Sequence, residues 1–314
     1  MSGSLLEPAA PVPPAAPVPA AAAAQTEESA GGLLRDALRR MRRSPTAIVG
    51  LVLILVFVLV AVFAPVLAPY DPTAQRLDLI RPGEYPGPSS EFPLGLDQLG
   101  RDELSRILYG ARYSLLIGVV SLTLGAVTGL LLGLVAGAFG GWVDSLIMRV
   151  VDIMLAVPGL LLAIGIAALL GPSLLSVMIA IAVVNVPIFA RLLRGSMLAQ
   201  RRSDYALAAR SLGVSRTRVV LQHVFPNSRA PVIVQATLAI ATAIIDAAGL
   251  AYLGLGSSDP AIPEWGRMLA DTQSSLATAP LLALWPGLAI VLSVLGFYLL
   301  GEALREALDP KLRR

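Results

Sequence analysis

Six apolar stretches constrain this chain more than any other feature of its sequence. Each is close to the ~20 residues that a helix needs to cross a bilayer. Charged residues make up only 14% of the chain, whereas a soluble domain usually has about 25%. The sequence therefore predicts an all-α membrane protein with six transmembrane helices, at about 46–68, 113–140, 148–170, 173–191, 230–250 and 280–301.

Arginine side chains orient the predicted helices. The basic segments are residues 33–45, the connection at about 192–229 and the C-terminal residues 311–314. With six spans these segments fall on one side of the membrane, and the positive-inside rule makes that side cytoplasmic. The two long loops on the other side, 69–112 and 251–279, hold more acidic than basic residues. Both termini are predicted to be cytoplasmic.

Composition divides the chain into three parts. Residues 1–32 are rich in proline and alanine and have no apolar period, which predicts a disordered tail. Residues 33–45 predict a short basic helix beside the membrane. Residues 46–314 form the predicted transmembrane domain, and the connection at about 192–229 is its cytoplasmic loop.

The second apolar stretch carries glycine at a spacing of four residues, which places bare backbone along one helix face. These residues are Gly125, Gly129, Gly133 and Gly137. The pattern predicts close packing against a neighbouring helix, with a permeation path as the alternative. Ahead of this stretch, Asp102 can cap a helix that we expect to lie along the outer membrane surface.

Residues 204–227 predict a pair of helices within the cytoplasmic loop. The first would begin at Ser203 or Asp204 and end at Gly213 in a left-handed conformation, and the second would continue until Pro226 forbids it. A narrow apolar stripe follows the first helix with i, i+3, i+4, i+7 spacing. It consists of Tyr205, Ala208, Ala209 and Leu212, and it is flanked by Arg210.

Small residues in this stripe would let another protein approach the backbone, which favours docking in a partner's groove. A basic helix pair resting on anionic lipid stays an alternative. The single histidine, His223, lies in the same loop without a nucleophile or orienting acid, so we expect it to form hydrogen bonds or contact a partner rather than act in catalysis. Nucleic-acid binding is not expected, because the helix ends enter the bilayer within a few residues.

The counts of cysteine, lysine and histidine restrict the chemistry that this chain can perform. The chain has no cysteine, and its only lysine, Lys311, is followed by leucine, so no P-loop for ATP is present. One histidine cannot form a multi-histidine metal centre. Two acids, Asp152 and Asp246, lie within predicted spans, where charged groups usually face the bundle interior or water. We expect Asp152 to pair with Arg149 or with a partner subunit, and a transport role for Asp246 stays open.

The cytoplasmic loop resembles the EAA loop of bacterial ABC importer permeases. The stretch "LAARSLGVSRTRVVLQHVFPN" matches that pattern at Ala208, Ala209, Gly213, Pro226 and Asn227, while Leu207 replaces the usual glutamate. Further stretches are similar to the second permease subunit of the dipeptide/oligopeptide/nickel family. They are "LDQLGRD" (96–102), "GGWVDSLIMRVVDIMLAVPGLLLAI" (140–164), "LAYLGLG" (250–256), "EWGRML" (264–269) and "PGLAIVLSVLGFYLLGEALREALDP" (286–310).

This resemblance implies a type I ABC importer permease fold in a bacterial inner membrane. The chain would form half of a translocation pathway for di- or oligopeptides, with nickel or another solute as the alternative cargo. Expected partners are a homologous second permease, an extracytoplasmic binding protein and two ATPase subunits, identical or a heterodimer. The ATPases would bind ATP and Mg²⁺, whereas this chain would hold no cofactor and would not itself be an enzyme.

The residue pattern of the loop and the resemblance together assign residues to sites. The ATPase-coupling set is Tyr205, Ala208, Ala209, Arg210, Leu212, Gly213, His223, Pro226 and Asn227. The outer-loop motif consists of Asp97, Gly100, Arg101, Asp102, Trp265 and Gly266. Two other classes of protein were weighed: a stand-alone secondary transporter driven through Asp152 and Asp246, and an intramembrane hydrolase using His223. The first would need inverted repeats, and the second a serine near His223 within a span.

Overall fold

The computed structural model describes residues 38–80 and 85–308, in which the regular structure is helical. The first half forms α1 (Pro45–Leu67), α2 (Glu103–Phe139), α3 (Gly141–Ala156), α4 (Gly159–Leu170) and α5 (Leu174–Gln200). The second half forms α6 (Asp204–Ser211), α7 (Arg216–Val219, extended by Val220–Val224 and Phe225–Asn227), α8 (Ala230–Tyr252), α9 (Trp265–Asp271) and α10 (Leu281–Leu308). The predicted tail and the first five residues of the predicted basic helix, 33–37, lie outside the described residues.

Five helices are long and apolar enough to cross a membrane: α1, α2, α5, α8 and α10. A sixth crossing would require α3 and α4 together, and these two helices meet at a bend of 91°. The all-α membrane class is therefore confirmed, and the stretch predicted as one span at 148–170 consists of parts of two helices separated by this bend rather than one continuous helix. Pro158 lacks a backbone donor and disfavours helical geometry at Val157, which is extended at φ −90° and ψ 131°.

The long helix α2 has 37 residues and includes the segment that we expected to lie on the membrane surface. Asp102 caps it as predicted, since its carboxylate accepts a hydrogen bond of 2.8 Å from the amide of Ser105. The separate surface helix is wrong, because no break divides residues 103–112 from the span. Buried polar residues of the first turn, Ser105 and Arg106, lie beneath the preceding loop rather than on lipid.

The glycine face of α2 packs directly against α5. A Cβ on Gly125 would lie 2.5 Å from the carbonyl oxygen of Ala182, and one on Gly133 would lie 2.6 Å from that of Ala190. These distances leave no room for a side chain, so the packing interpretation of the glycine pattern is confirmed. The contact fixes the cytoplasmic-loop end of α2 beside the end of α5, where the loop helices begin.

Candidate functional site

The predicted cytoplasmic loop folds as two short helices joined at Gly213. Helix α6 ends at Ser211, and Gly213 follows with φ +80°, a value that an L side chain rarely adopts. Ser215 is extended and begins α7. The predicted helix pair and its glycine stop are confirmed.

One face of α6 holds the loop against the transmembrane helices. Ala206 is fully buried and packs with Leu193 and Met197 of α5 and with Val220 of α7. Ala209 of the predicted stripe is half-buried against the same cluster. The inner face of the loop is thus part of the protein core.

The outward side of α6 is exposed and carries apolar residues beside the polar residues Asp204, Arg210 and Ser211. Leu212 is 85% exposed, Leu207 is 49% exposed, and Tyr205 and Ala208 are also exposed. The predicted stripe is therefore divided, with Ala209 turned toward the core and the other three members outward. The predicted stripe did not include Leu207, whose exposure adds a large side chain to the outer face.

The second loop helix continues past Pro226, contrary to the expectation that it would stop there. A π-helical turn, Val220–Val224, precedes the proline. The amide of Phe225 donates to the carbonyl of Val220, five residues back, and the helix continues although Pro226 has no N–H to donate. Asn227 donates from its side chain to the carbonyl of His223 at 2.8 Å. Pro226, Asn227 and half-buried His223 thus shape the connection into α8.

Two arginines of the loop bind the carboxyl end of α2. Nη1 of Arg201 donates to the carbonyl of Gly137 at 2.7 Å, and Nη2 of Arg216 donates to those of Ala138 and Phe139 at 3.0 and 2.8 Å. These carbonyls belong to the last turn of α2, whose acceptors have no partner within the helix. Sequence reasoning missed this role, because no local spacing links Arg201 or Arg216 to residues so distant in the chain.

Two ion pairs join α3 to α5 on the same side of the protein. Asp152 accepts a hydrogen bond from Arg191, and both side chains are exposed. Asp144 forms a second pair with Arg194. The expected pairing of Asp152 with Arg149 is therefore wrong: Arg191, on a neighbouring helix, is its partner.

The other predicted acid, Asp246, is half-buried in α8 and makes no hydrogen bond or ion pair with another described residue. Its surroundings on α8 are apolar: Ile244 and Ala247 are buried on either side. The structure therefore separates the two predicted pathway acids, one in a salt bridge and one alone.

The outer-loop motif builds a tight turn around a buried carboxylate. Asp97 accepts hydrogen bonds from the amides of Leu99 and Arg101, both at 2.9 Å, and from Nε of Arg101 at 2.6 Å. Gly100 has φ +72°, and a Cβ there would lie 2.8 Å from the backbone of Arg76. Buried Arg106 adds its charge, with Nε 3.3 Å from the Asp97 carboxylate.

The same motif joins the two outer loops. Nη1 of Arg101 donates to the carbonyl of Pro260 at 2.6 Å. Trp265 is fully buried and donates from its indole to the carbonyl of Ile107 at 3.0 Å. A Cβ on Gly266 would lie 2.5 Å from Cα of Ala248, so this glycine permits close contact between α9 and α8.

Glu264, the residue before α9, has a buried carboxyl group. Its Oε2 has no hydrogen-bond partner among the described residues. Burial raises the pKa of Glu264 to about 7, and the nearby charge of Arg267 opposes part of that rise. The sequence contained this residue within a matched stretch but gave no signal of its burial.

Comparison with known proteins gives consistent matches. The family described as "Binding-protein-dependent transport system inner membrane component" matches residues 129–314. The family described as "N-terminal TM domain of oligopeptide transport permease C" matches residues 32–85. Together these matches include the six predicted apolar stretches except the first part of the second.

Similar proteins cover nearly the whole chain. The dipeptide transport system permease protein DppC of Alkalihalophilus pseudofirmus is 46% identical over 279 residues, which are 89% of this chain and 90% of the relative. The di/tripeptide transport system permease protein DppC of Pseudomonas aeruginosa is 46% identical over 282 residues, or 89% and 93% of the two chains. The glutathione transport system permease protein GsiD of Pectobacterium atrosepticum is 43% identical over 89% and 91%.

Among solved structures, an inward-facing MetNI methionine ABC transporter has a chain with the same fold. The TM-score is 0.52 at 18% sequence identity, and the match covers 64% of this chain and 96% of that one. At this identity the likeness concerns the fold alone. It confirms the ABC importer permease architecture predicted from the sequence.

Proposed function

Because this chain belongs to the family of inner membrane components of binding-protein-dependent transport systems, we propose that it forms half of the translocation pathway of an ATP-driven peptide importer. It is a multi-pass membrane permease. The dipeptide, di/tripeptide and glutathione permeases that resemble it favour di- and oligopeptides as cargo over nickel. They equally favour an ABC permease over a stand-alone secondary transporter.

The exposed face of α6 is the observation that carries the coupling proposal. Leu207 and Leu212 present large apolar surface away from the membrane helices, while Ala206 and the α2 carbonyls hold the loop from the other side. A rigid helix with one anchored and one apolar exposed face can transmit force from a protein that grips it. We assign the gripping groove to one ATPase subunit, with Tyr205, Ala208 and Leu212 as contact residues and Gly213 setting the helix end.

Leu207 changes the chemistry expected at this contact. The resembling loops usually have glutamate at this position, and the half-exposed leucine offers apolar surface instead of a charge. The partner groove is therefore proposed to be apolar at this point. Arg210 would then be the ionic element of the first helix.

The two ion pairs between α3 and α5 are proposed to face the pathway or the second permease. Asp152 and Arg191 are both exposed in the single chain. An ion pair exposed to hydrocarbon is unfavourable, so water or protein is its favoured neighbour. Asp246 is assigned to the same pathway on the weaker ground that it lacks a partner among the described residues.

Transport also requires components outside this chain. We propose a homologous second permease, an extracytoplasmic binding protein that contacts the outer loops, and two ATPase subunits, identical or different. ATP and Mg²⁺ would be bound by those ATPases, whose closure moves α6. The rigid outer-loop turn at Asp97, Gly100 and Arg101 supports a docking role for that surface.

Cysteine cross-linking tests the coupling proposal directly, because the chain has no native cysteine. Leu212→Cys, at 85% exposure, should cross-link to an ATPase subunit in the assembled transporter in membranes. Leu169→Cys, on α4 at 86% exposure, is the matched control and should not. Failure of Leu212→Cys to capture an ATPase, in complexes that still take up peptide, would overturn the assignment.

A further inference from the structure

Three arginines surround one cavity at the junction of α2 and the cytoplasmic loop. The cavity has a volume of about 380 Å³ and is lined by Arg201, Arg210, Val214 and Arg216. None of these arginines forms an ion pair with an acid in residues 38–80 and 85–308. The wall of the cavity is therefore cationic, without a carboxylate from the described chain to balance it.

Two of the three guanidinium groups are held in place before any ligand arrives. Arg201 uses Nη1, and Arg216 uses Nη2, to bond the last carbonyls of α2. A guanidinium has five N–H donors, so each group keeps donors for a second partner. Fixed, planar donors of this kind suit the oxygens of a phosphate group.

Electrostatics within the cluster also favours an anion. Burial lowers the pKa of Arg201, and the charges of Arg216 and Arg210 lower it further. The three arginines are thus close enough to repel one another. A bound anion would relieve this repulsion, and the partial negative charge at the end of α2 relieves only part of it.

The surroundings place the cavity at the level of lipid headgroups. Phe139, whose carbonyl binds Arg216, is 66% exposed, and Trp142 is 77% exposed. Large exposed aromatic side chains at the end of a span are typical of the membrane–water interface. Basic pockets between helices on the cytoplasmic side of a membrane bind anionic headgroups.

We propose that this cavity binds the phosphate group of an anionic phospholipid. The phosphate would accept hydrogen bonds from Arg201, Arg210 and Arg216 and join the first loop helix to the end of α2. Inorganic phosphate offers the same chemistry from the cytosol, so the experiment must separate the two sources. Arg210 also belongs to the proposed ATPase-coupling set, so the inference is tested on the chain without ATPase subunits, and it does not depend on the cargo.

Native mass spectrometry of the full-length chain in detergent tests the proposal by titration with phosphatidylglycerol or phosphatidylcholine. Wild-type protein should bind the anionic lipid more tightly. Arg210→Gln should weaken that binding by about tenfold, since it removes a charge-assisted hydrogen bond as well as one charge. The side chain of Arg210 makes no hydrogen bond or ion pair with another described residue, so this variant should fold normally.

Arg202→Gln is the matched control, because it removes the same charge from an exposed neighbour outside the cavity. This variant should bind phosphatidylglycerol about fivefold more weakly or less, which is the effect of one charge near a membrane surface. Inorganic phosphate at millimolar concentration should compete with the lipid in wild-type protein. Equal losses in the two variants, equal binding of the two lipids, or binding of inorganic phosphate without phosphatidylglycerol would each overturn the proposal.

Discussion

Asp144 and Arg194 form a two-pronged ion pair, with Nε to Oδ1 at 2.5 Å and Nη2 to Oδ2 at 2.6 Å. The pair joins the start of α3 to α5. A 91° bend separates α3 from α4, and Val151 is the only fully buried residue of α3. The orientation of this helix therefore depends on side-chain charge as well as on apolar packing.

Removing one partner should loosen α3. Asp144→Asn is expected to lower stability by roughly 1–3 kcal/mol, the range for hydrogen bonds to charged groups. Thermal unfolding in detergent would measure this loss of stability. Exchanging the two charged residues (Asp144→Arg with Arg194→Asp) should recover part of the loss. Glu302→Gln is the control, since Glu302 and Arg305 are 3.6 Å apart on an exposed face and should contribute little. Equal effects of Asp144→Asn and Glu302→Gln would contradict this prediction.

Adding one methyl group to the α2–α5 contact should destabilise the bundle. Gly125→Ala would place Cβ 2.5 Å from the carbonyl oxygen of Ala182, and we expect a loss of about 1–3 kcal/mol from overpacking. Gly165→Ala on α4 meets no atom within 4 Å and should be neutral or slightly stabilising. Unfolding temperatures of the two variants check the prediction, which is wrong if Gly125→Ala is tolerated equally well.

Gly213, the left-handed residue between the two loop helices, should matter more for coupling ATP hydrolysis to uptake than for insertion of the chain into the membrane. Gly213→Ala must adopt φ +80° or displace α6, at a strain of about 1–2 kcal/mol. We expect normal amounts in the membrane but reduced peptide uptake per ATP hydrolysed. Gly195→Ala, in open space on α5, should leave that ratio unchanged. An unchanged ratio for Gly213→Ala would show that the helix end does not set coupling.

Stability should fall as pH rises through the titration of Glu264. Its folded pKa of about 7 exceeds the ordinary value of 4.5, so the folded state binds more protons than the unfolded state between these values. The contribution of this carboxyl to stability therefore decreases from about pH 4.5 to 7 and is constant above. Glu264→Gln cannot ionise, so its unfolding temperature should fall less than that of wild type between pH 5 and 8. Identical pH dependence would disprove a buried, protonated Glu264.

Local features were predictable because a few neighbouring residues decide them. Asp102 caps the amide three residues later, and Gly213 ends a helix through its own backbone freedom. The apolar stretches likewise identified the membrane helices. In contrast, the partner of Asp152 lies on another helix, and the nearer Arg149 was the only choice that sequence spacing suggested.

The bend in the third apolar stretch shows a different limit. Composition alone marks residues 148–170 as one apolar stretch, whereas the signal for the bend is Pro158, which disfavours helical geometry at Val157. The cavity lined by three arginines also could not be predicted from the sequence. Arg201 and Arg216 are brought together by carbonyls at the end of α2, which any sequence could supply.

The shortness of α4 has a consequence for the membrane itself. Its 12 residues extend for only ~18 Å, well below the ~30 Å thickness of the hydrocarbon layer. Since α3 is bent away from α4 by 91°, these two helices do not form one straight helix across that thickness. In the importer proposed above, the second permease would complete the barrier to ions there, and a route for cargo would form where the two chains meet.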